Sequence, residues 1–431
     1  MTKHESLRSL LKVVTFTMLL PSCSSWSHPL ADSSSSRRTF FQKLAGSTAS
    51  LCLLPEYSPA ADSQSLSSSF AAYKILPDAS ERLNPTLKSI NRKGLVKELS
   101  KTTGALWLGE HHNAYRDHVF QLQLIQDLHE SNYDRRTKQQ KRPLAIGLEQ
   151  VQIKFQTVLD DFVTEKLTVE EMKSQVEWEK RWTWPFEGYE SIFVAAQQLK
   201  IPLIALNVDS EDLQLVENGG IQNLPRPILD KYILDRKGFA QFTQRSSYGC
   251  YADYVITPSY KMHQAMGLLE YSNTGQKLDQ PMSFKNFFSG RILWDESMAT
   301  QAFKWSEANP QGLMVGLVGA DHVKFQNGIP ARYDRVMTNK GSPQNKNTWQ
   351  QPRSTSILLN PSLVDSSATG TVSMEENSYQ PSDMILQIGY TKDGVDARSE
   401  DRFLRENFGG VLPLADYILT TVTNAQQKSG I

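Results

Sequence analysis

The stretch "LWLGEHHNAYRDH" at residues 106–118 passes from an apolar run straight into Glu110, His111, His112, Asp117 and His118, five titratable residues within nine positions. The chain has eight His in all, and three of them stand here. Imidazole and carboxylate together are the donor set of a borderline divalent metal, and equally the working groups of a metal-free acid–base hydrolase. Other apolar runs end in the same way. Glu149 follows "AIGL", Asn207 and Asp209 follow "IAL", and Asp321 and His322 follow "GLVGA".

Those runs, at 104–109, 143–148, 201–206 and 312–319, are apolar throughout rather than alternating, the pattern of strands buried on both faces. Helical patterns lie between them at 114–130, 151–164, 186–199 and 209–217. Strand alternating with helix predicts an α/β fold with a mostly parallel sheet flanked by helices. In such a sheet ligands bind beyond the carboxyl ends of the strands, so the terminal polar residues converge on one rim. Glu110 and His112 are two apart and point the same way in an extended backbone, while Asp117 and His118 fall in the first turns of the next helix. Segment 224–307 is mainly helical in pattern and reads as a helical subdomain inserted before the fourth strand. Runs at 355–360, 384–390 and 414–420 add late strands, and the polar stretches 334–354 and 361–382 read as loops.

Plainer readings stand beside these. Asp209 and Asp321 suit helix N-caps. His129 fits a helix surface, and His111 fits solvent or a supporting position. Met262 and Met266 are spaced as helix-core residues. "WEKRWTWPFEGY" at 178–189 reads as an aromatic plug over the sheet in preference to a cofactor-stacking box. A Glu-x-His pair, a second strand-end Glu and a strand-end His occurring together are harder to dismiss.

Composition sets the outer limits. The chain has 431 residues with 46 basic and 46 acidic side chains, so no bulk charge calls for nucleic acid or an anionic membrane. No apolar run approaches bilayer length. Cys23, Cys52 and Cys250 make neither a disulfide framework nor a thiolate metal site. There is no C-x-x-C, H-E-x-x-H, Gly-rich phosphate loop or G-x-S-x-G elbow, which leaves nucleotide chemistry and serine hydrolysis unsupported.

Residues 1–85 read as a targeting presequence, followed by one domain over 86–431. "LLKVVTFTMLL" has the short apolar core of a secretory signal. The small residues before Trp26 resemble the cleavage site of plastid presequences in algae with secondary plastids. "SRRTFFQK", with Arg37 and Arg38, resembles a twin-arginine signal. The expected address is the plastid, ending in the thylakoid lumen.

Taken in order, five motifs resemble the ChaN-like haem-binding uptake family, within the wider group of Tiki-type metalloproteases and erythromycin esterases. "LGEHHNAYRDHVFQLQLI" is similar to its opening Gly-Glu-x-His segment, with His112 and His118. "AIGLEQVQIKFQTVLDDF" carries Glu149, Phe155 and Gln156. "WEKRWTWPFEGYESIFVAAQQLKIPLIALNV" carries Arg181, Trp182 and Asn207. "ILWDESMATQAF" carries Asp295, Met298 and Ala299, and "GLVGADHVKFQNGIPARY" carries Gly319, His322, Gly328, Ile329 and Pro330. The resemblance spans about 100–335. It implies an α/β sheet with a small helical subdomain, and haem, iron or another tetrapyrrole as ligand. It also implies a cleft of Glu110, His112, Glu149 and His322 able to cleave amide or ester bonds. Glu110, His112 and His322 are the metal-ligand candidates; His118, Arg181, Trp182, Asn207, Asp295 and Tyr254 are the cofactor-binding candidates. Tyr251 and His263 are further axial-ligand candidates. The sequence departs from the pattern at Arg291, where Gln is expected, and in the insertion 131–142. The first reading is a binding protein for haem or another small molecule such as a tetrapyrrole, with the Glu/His cleft at the sheet edge; the alternative is a hydrolase, metal-dependent or not, with Glu110 or Glu149 as general base. A homodimer is compatible with either.

Overall fold

The protein was analysed as a computed structural model that describes residues 70–76, 85–272, 277–278, 280–342, 354–369, 381–388 and 411–422. An eight-stranded sheet organises them. In chain order its strands are β1 (Phe70–Leu76), β2 (Thr86–Ile90), β3 (Gly104–Glu110), β4 (Leu144–Gln152), β5 (Leu203–Asn207), β6 (Leu313–Gly319), β7 (Ser354–Leu359) and β8 (Tyr417–Thr421). Across the sheet they run β2-β1-β8-β7-β3-β6-β4-β5. The six from β8 to β5 are parallel, and β1 and β2 add an antiparallel edge. The four strands read from apolar runs lie side by side as β3-β6-β4-β5, from the middle of the sheet to its β5 edge. Every residue of β3, β4 and β6 is buried, as a parallel sheet covered on both faces requires.

Helices Tyr115–Asn132 and Glu190–Gln198 cover one face, where Leu124, Ile125, Phe193 and Ala196 meet the sheet residues Leu106, Leu108, Ile146 and Val315. Helices Phe284–Ala308 and Ile329–Lys340 belong to the other face, with Trp107, Met314 and Val318. Burying each such large apolar side chain contributes roughly 1.5–3 kcal/mol.

Four sequence expectations change. Phe70–Leu76, counted within the presequence, belongs to the fold: it pairs antiparallel with β8, Phe70 opposite Thr421 and Lys74 opposite Tyr417. The remainder of the expected targeting signals, residues 1–69, lies outside the described residues. Segment 224–307 is helical as read, yet it shares the sheet's core, since Met298, Ala299 and Phe303 pack in one cluster with Trp107 and Val318. The expected loop 334–354 begins inside the helix Ile329–Lys340, and β7 begins at Ser354. The late run at 384–390 is described as far as residue 388, where Gln387–Ile388 form a two-residue ladder against Leu412–Pro413. Among the described residues no helix is long and apolar enough to cross a membrane.

Two local features aim side chains at the rim. Glu110 stands opposite Gly319 at the carboxyl ends of β3 and β6. Along β4 and β5, Leu148 pairs with Ala205 but Gln152 pairs with Asn207, so β4 spends four residues where β5 spends two. The irregularity contains Glu149 and Gln150. Bulges of this kind re-aim side chains beside functional sites.

A cluster of carboxylates and imidazoles at the strand ends

Glu149 sits at the centre of the cluster. Its Oε2 accepts the Gly319 N–H at 2.5 Å, and its Oε1 lies 3.2 Å from His322 Nε2 and 4.0 Å from His112 Nε2. Asn207 donates its Nδ2 to the Glu149 carbonyl at 2.7 Å, fixing the irregular backbone. Burial works against the charge on Glu149, but the two imidazoles and the Gly319 N–H hold its pKa down at about 2.

Each imidazole is oriented from behind by its own carboxylate. His112 Nδ1 lies 2.8 Å from Glu110 Oε1, and His322 Nδ1 makes a short hydrogen bond to Asp295 Oδ1. Asp295 comes from the middle of the buried helix Phe284–Ala308, whereas His322 closes the 3₁₀ turn Ala320–His322 after β6. With Nδ1 committed, the Nε2 atoms of both rings face Glu149. Burial lowers the pKa of each, and Arg291 also lowers that of His322. The flanking carboxylates outweigh these effects, so both are raised above the ordinary imidazole value.

Glu110 is enclosed by donors. Tyr189 Oη donates to Oε1 at 2.5 Å, Gln150 Nε2 to Oε1 at 3.3 Å and Gln121 Nε2 to Oε2 at 2.6 Å. His118 Nε2 stands 3.7 Å away. Burial opposes its charge, yet His118, His112 and Tyr189 keep the carboxyl below its ordinary range. Burial raises Tyr189 far above its usual pKa, so its hydroxyl stays protonated and donating. Burial lowers His118 in turn, and its ring packs on Tyr189 with centroids 4.1 Å apart.

Glycine at 319 is required by the imidazole. A Cβ there would lie 2.9 Å from His112 Nε2. The His112 ring meets Trp182 edge-on at a centroid distance of 5.0 Å and Trp184 at 5.9 Å, and 22% of its side chain is exposed. Trp294 closes the other side, 5.4 Å from the His322 ring. The aromatic stretch 178–189 therefore divides. Trp178 and Phe186 form the buried plug, and Trp182 and Trp184 form a wall beside His112.

Of the expected site residues, Glu110, His112, Glu149 and His322 come together, supported by His118, Asn207, Asp295 and Trp182. The position of Glu110 alters its expected role. It stands on the Nδ1 side of His112, and both its oxygens are taken. Among the described residues no three His, Cys, Asp or Glu side chains are grouped as a metal site. The donor atoms that converge are His112 Nε2, His322 Nε2 and Glu149 Oε1, of types a divalent ion accepts, and Glu110 is not among them. Arg181 is turned to Glu177 and Glu211, each at 2.6 Å. Tyr254 packs against Phe325 in the core, and His263 Nδ1 meets the Ser259 carbonyl at 2.8 Å. Tyr251 is nearer, donating to the Asp321 carbonyl at 3.1 Å. His111 belongs to a separate network between Asp117 Oδ2 at 3.0 Å and Asp365 Oδ2 at 3.2 Å. Gln121, Gln150 and Asp365 were not legible as site residues, because a neutral amide or a loop carboxylate looks the same in sequence when it solvates a surface; Tyr189 was legible only as an aromatic that could pack on a ligand, and its hydroxyl instead holds Glu110. A cavity of about 170 Å³ lined by Asn132, Arg142, Leu144 and Leu313 lies at the opposite, amino-terminal ends of β4 and β6 and holds no such cluster.

Residues 95–333, more than half of the chain, match the family model described as Haem-binding uptake, Tiki superfamily, ChaN. No curated protein matches. Among solved structures, ChaN of Campylobacter jejuni with cofacially bound heme aligns at 15% identity over 82% of this chain and 98% of that one, with a TM-score of 0.46. A mutant of the erythromycin esterase EreC in its open conformation aligns at 10% identity over 82% of this chain and 97% of that one, with a TM-score of 0.36. A Bacillus cereus protein aligns at 13% identity over 67% and 72%, with a TM-score of 0.29. By the extent of the family match, the chain belongs to the ChaN haem-binding uptake family of the Tiki superfamily.

Proposed function

We propose that the Glu/His cleft hydrolyses an ester or amide bond in a small organic substrate. One observation carries the reading: two imidazoles, each oriented at Nδ1 by a buried carboxylate, turn Nε2 toward one oxygen of a third carboxylate. His112, the more exposed of the two, takes a proton from water at Nε2 as the hydroxide oxygen attacks the carbonyl carbon. Glu110 holds the ring in the required tautomer and offsets the imidazolium charge. His322, held by Asp295, gives its Nε2 proton to the leaving oxygen or nitrogen as the bond to the carbonyl carbon breaks. Glu149 stabilises both cations and, fixed by the Gly319 N–H, keeps their spacing. A divalent ion, where bound, would find donors in His112, His322 and Glu149 and supply Lewis acidity to water.

This assignment fixes a pH profile. His112 must be deprotonated and His322 protonated, and both pKa values are raised above 6.5. The rate therefore rises as His112 loses its proton and falls as His322 loses its own, giving a bell centred on the alkaline side of 6.5. The measurement is kcat/KM for p-nitrophenyl acetate across about pH 5 to 10. A flat profile, or no hydrolysis beyond the uncatalysed rate, overturns the assignment.

The family supports a second reading, haem or another tetrapyrrole as bound ligand, with Trp182 and Trp184 flanking the exposed edge of His112. Haemin at micromolar concentration is then expected to give a shifted Soret band that disappears in the His112→Ala variant. An unshifted band removes this reading and leaves the hydrolytic one standing. The amino-terminal signals make the plastid, with the thylakoid lumen as end point, the proposed location. Fractionation of the native cell with an antibody to the folded domain tests it.

A further inference from the structure

Arg291 lies one helical turn before Asp295 on the buried helix Phe284–Ala308, with 11% of its side chain exposed. Its Nε is 4.0 Å from Asp295 Oδ1, the same oxygen that holds His322. That separation is too long for a hydrogen bond. Nε and Nη2 are both buried, and neither has a hydrogen-bond partner. These two nitrogens form one side of the guanidinium, where two N–H bonds run parallel, the edge that takes a carboxylate in bidentate fashion.

The surrounding carboxylates do not need Arg291 as their partner. Asp295 is bonded to His322, Glu149 is held by the Gly319 N–H and His322, and Asp321 is paired with Lys324. The guanidinium interacts electrostatically with all three, and with Tyr251, from within the same cleft. It is therefore a buried cation whose charge Asp295, Asp321 and Glu149 offset without touching its Nε and Nη2 edge, and those two N–H groups are left without an acceptor. Asp295 Oδ2 is likewise buried without a partner, so the charge already beside the guanidinium disfavours a phosphate, with two charges on one group, and favours a carboxylate, which brings one.

We propose that Arg291 selects substrates that carry a carboxylate close to the bond to be cut, the carboxylate seating on its Nε and Nη2 edge beside His322. The proposal rests on the cleft being a hydrolytic site, and it deepens that reading by naming the substrate class.

The experiment has two arms. In the first, mono-p-nitrophenyl glutarate is compared with p-nitrophenyl pentanoate, which has the same acyl length and no charge. The expected kcat/KM ratio favours the glutarate ester by at least about tenfold, the scale of one charge-assisted contact, and falls to near unity in Arg291→Gln. Arg291→Lys is expected to recover only part of the preference, because an ammonium lacks the planar fork. In the second arm, glutarate and neutral glutaramide are titrated against the quenching of tryptophan fluorescence. Glutarate is expected to bind more tightly, and the difference to vanish in Arg291→Gln. An Arg291→Gln variant that keeps the preference overturns the proposal, as does wild-type protein that binds glutarate no better than glutaramide. If neither ester is cleaved but glutarate binds through Arg291, the hydrolytic reading fails while the carboxylate site stands.

Discussion

Replacing Glu110 by Gln is expected to lower kcat for p-nitrophenyl acetate by about 10²–10⁴-fold, the range for a disrupted acid–base group, while the protein stays folded. The carboxylate accepts from His112, Tyr189 and Gln150 at one oxygen and from Gln121 at the other. A glutamine can keep its oxygen toward the first three, and Gln121 can turn its own oxygen to the new amide. The fold therefore loses little. His112 loses more. Without the negative charge at Nδ1, its tautomer is no longer fixed and its imidazolium is no longer stabilised. The same charge helps raise its pKa, so the ascending limb of the pH profile is expected to move to lower pH in the variant. A purely structural role for Glu110 would reduce the rate and leave the limb in place. An unchanged rate would remove Glu110 from the mechanism.

The contrast between Glu110 and Glu149 shows where sequence stops informing chemistry. Both end apolar runs, and that ending made them visible along with His112 and His322. Their roles diverge for reasons not written locally. Glu149 faces both Nε2 atoms because β4 is irregular between Leu148 and Gln152, a register event set by pairing with β5. Glu110 is withdrawn behind His112 because Tyr189, Gln121 and Gln150 reach it from three different elements. Gln121 and Gln150 carry no charge and no distinctive spacing, so nothing in the chain marks them, and Tyr189 is marked only as one more aromatic of the stretch 178–189.

The edges of the fold were hidden for related reasons. Phe70–Leu76 is half-buried, and its serine-rich surroundings resemble a leader. The helix Ile329–Lys340 was read from residue 334 as a loop, because its continuation "DRVMTNK" looks polar. In that helix Arg332 and Arg335 point inward, so charge, the usual sign of a solvated face, misleads there. Hydrophobic pattern found the parallel centre of the sheet, where both faces are covered, and failed where burial is achieved by ion pairing.

That ion pairing sets the largest expected loss of stability. Glu296, fully buried on the helix Phe284–Ala308, accepts from Arg332 Nη1 at 3.1 Å and from Arg335 Nη2 on both its oxygens. Arg335 also holds Asp235 at 2.9 Å, and Arg332 holds the Tyr248 hydroxyl at 3.1 Å and stacks over Phe242 at 4.7 Å. Glu296→Gln removes the one carboxylate shared by two buried guanidinium groups. Breaking such a pair from one side costs about 3–5 kcal/mol, because a charge is left uncompensated in the interior. A domain has roughly 5–15 kcal/mol in total, so the variant is expected to unfold at a much lower denaturant concentration or to fail to accumulate. The control is Glu130→Gln, which breaks an ion pair to Arg135 whose partners are 75% and 86% exposed. There the expected change is within about 0–1 kcal/mol. Equal midpoints for the two variants in urea unfolding would show that the Glu296 cluster contributes no more than a surface pair. Replacing Glu296, Arg332 and Arg335 together by Leu or Met is expected to recover part of the loss, since the penalty lies in the unmatched charge rather than in the missing contacts.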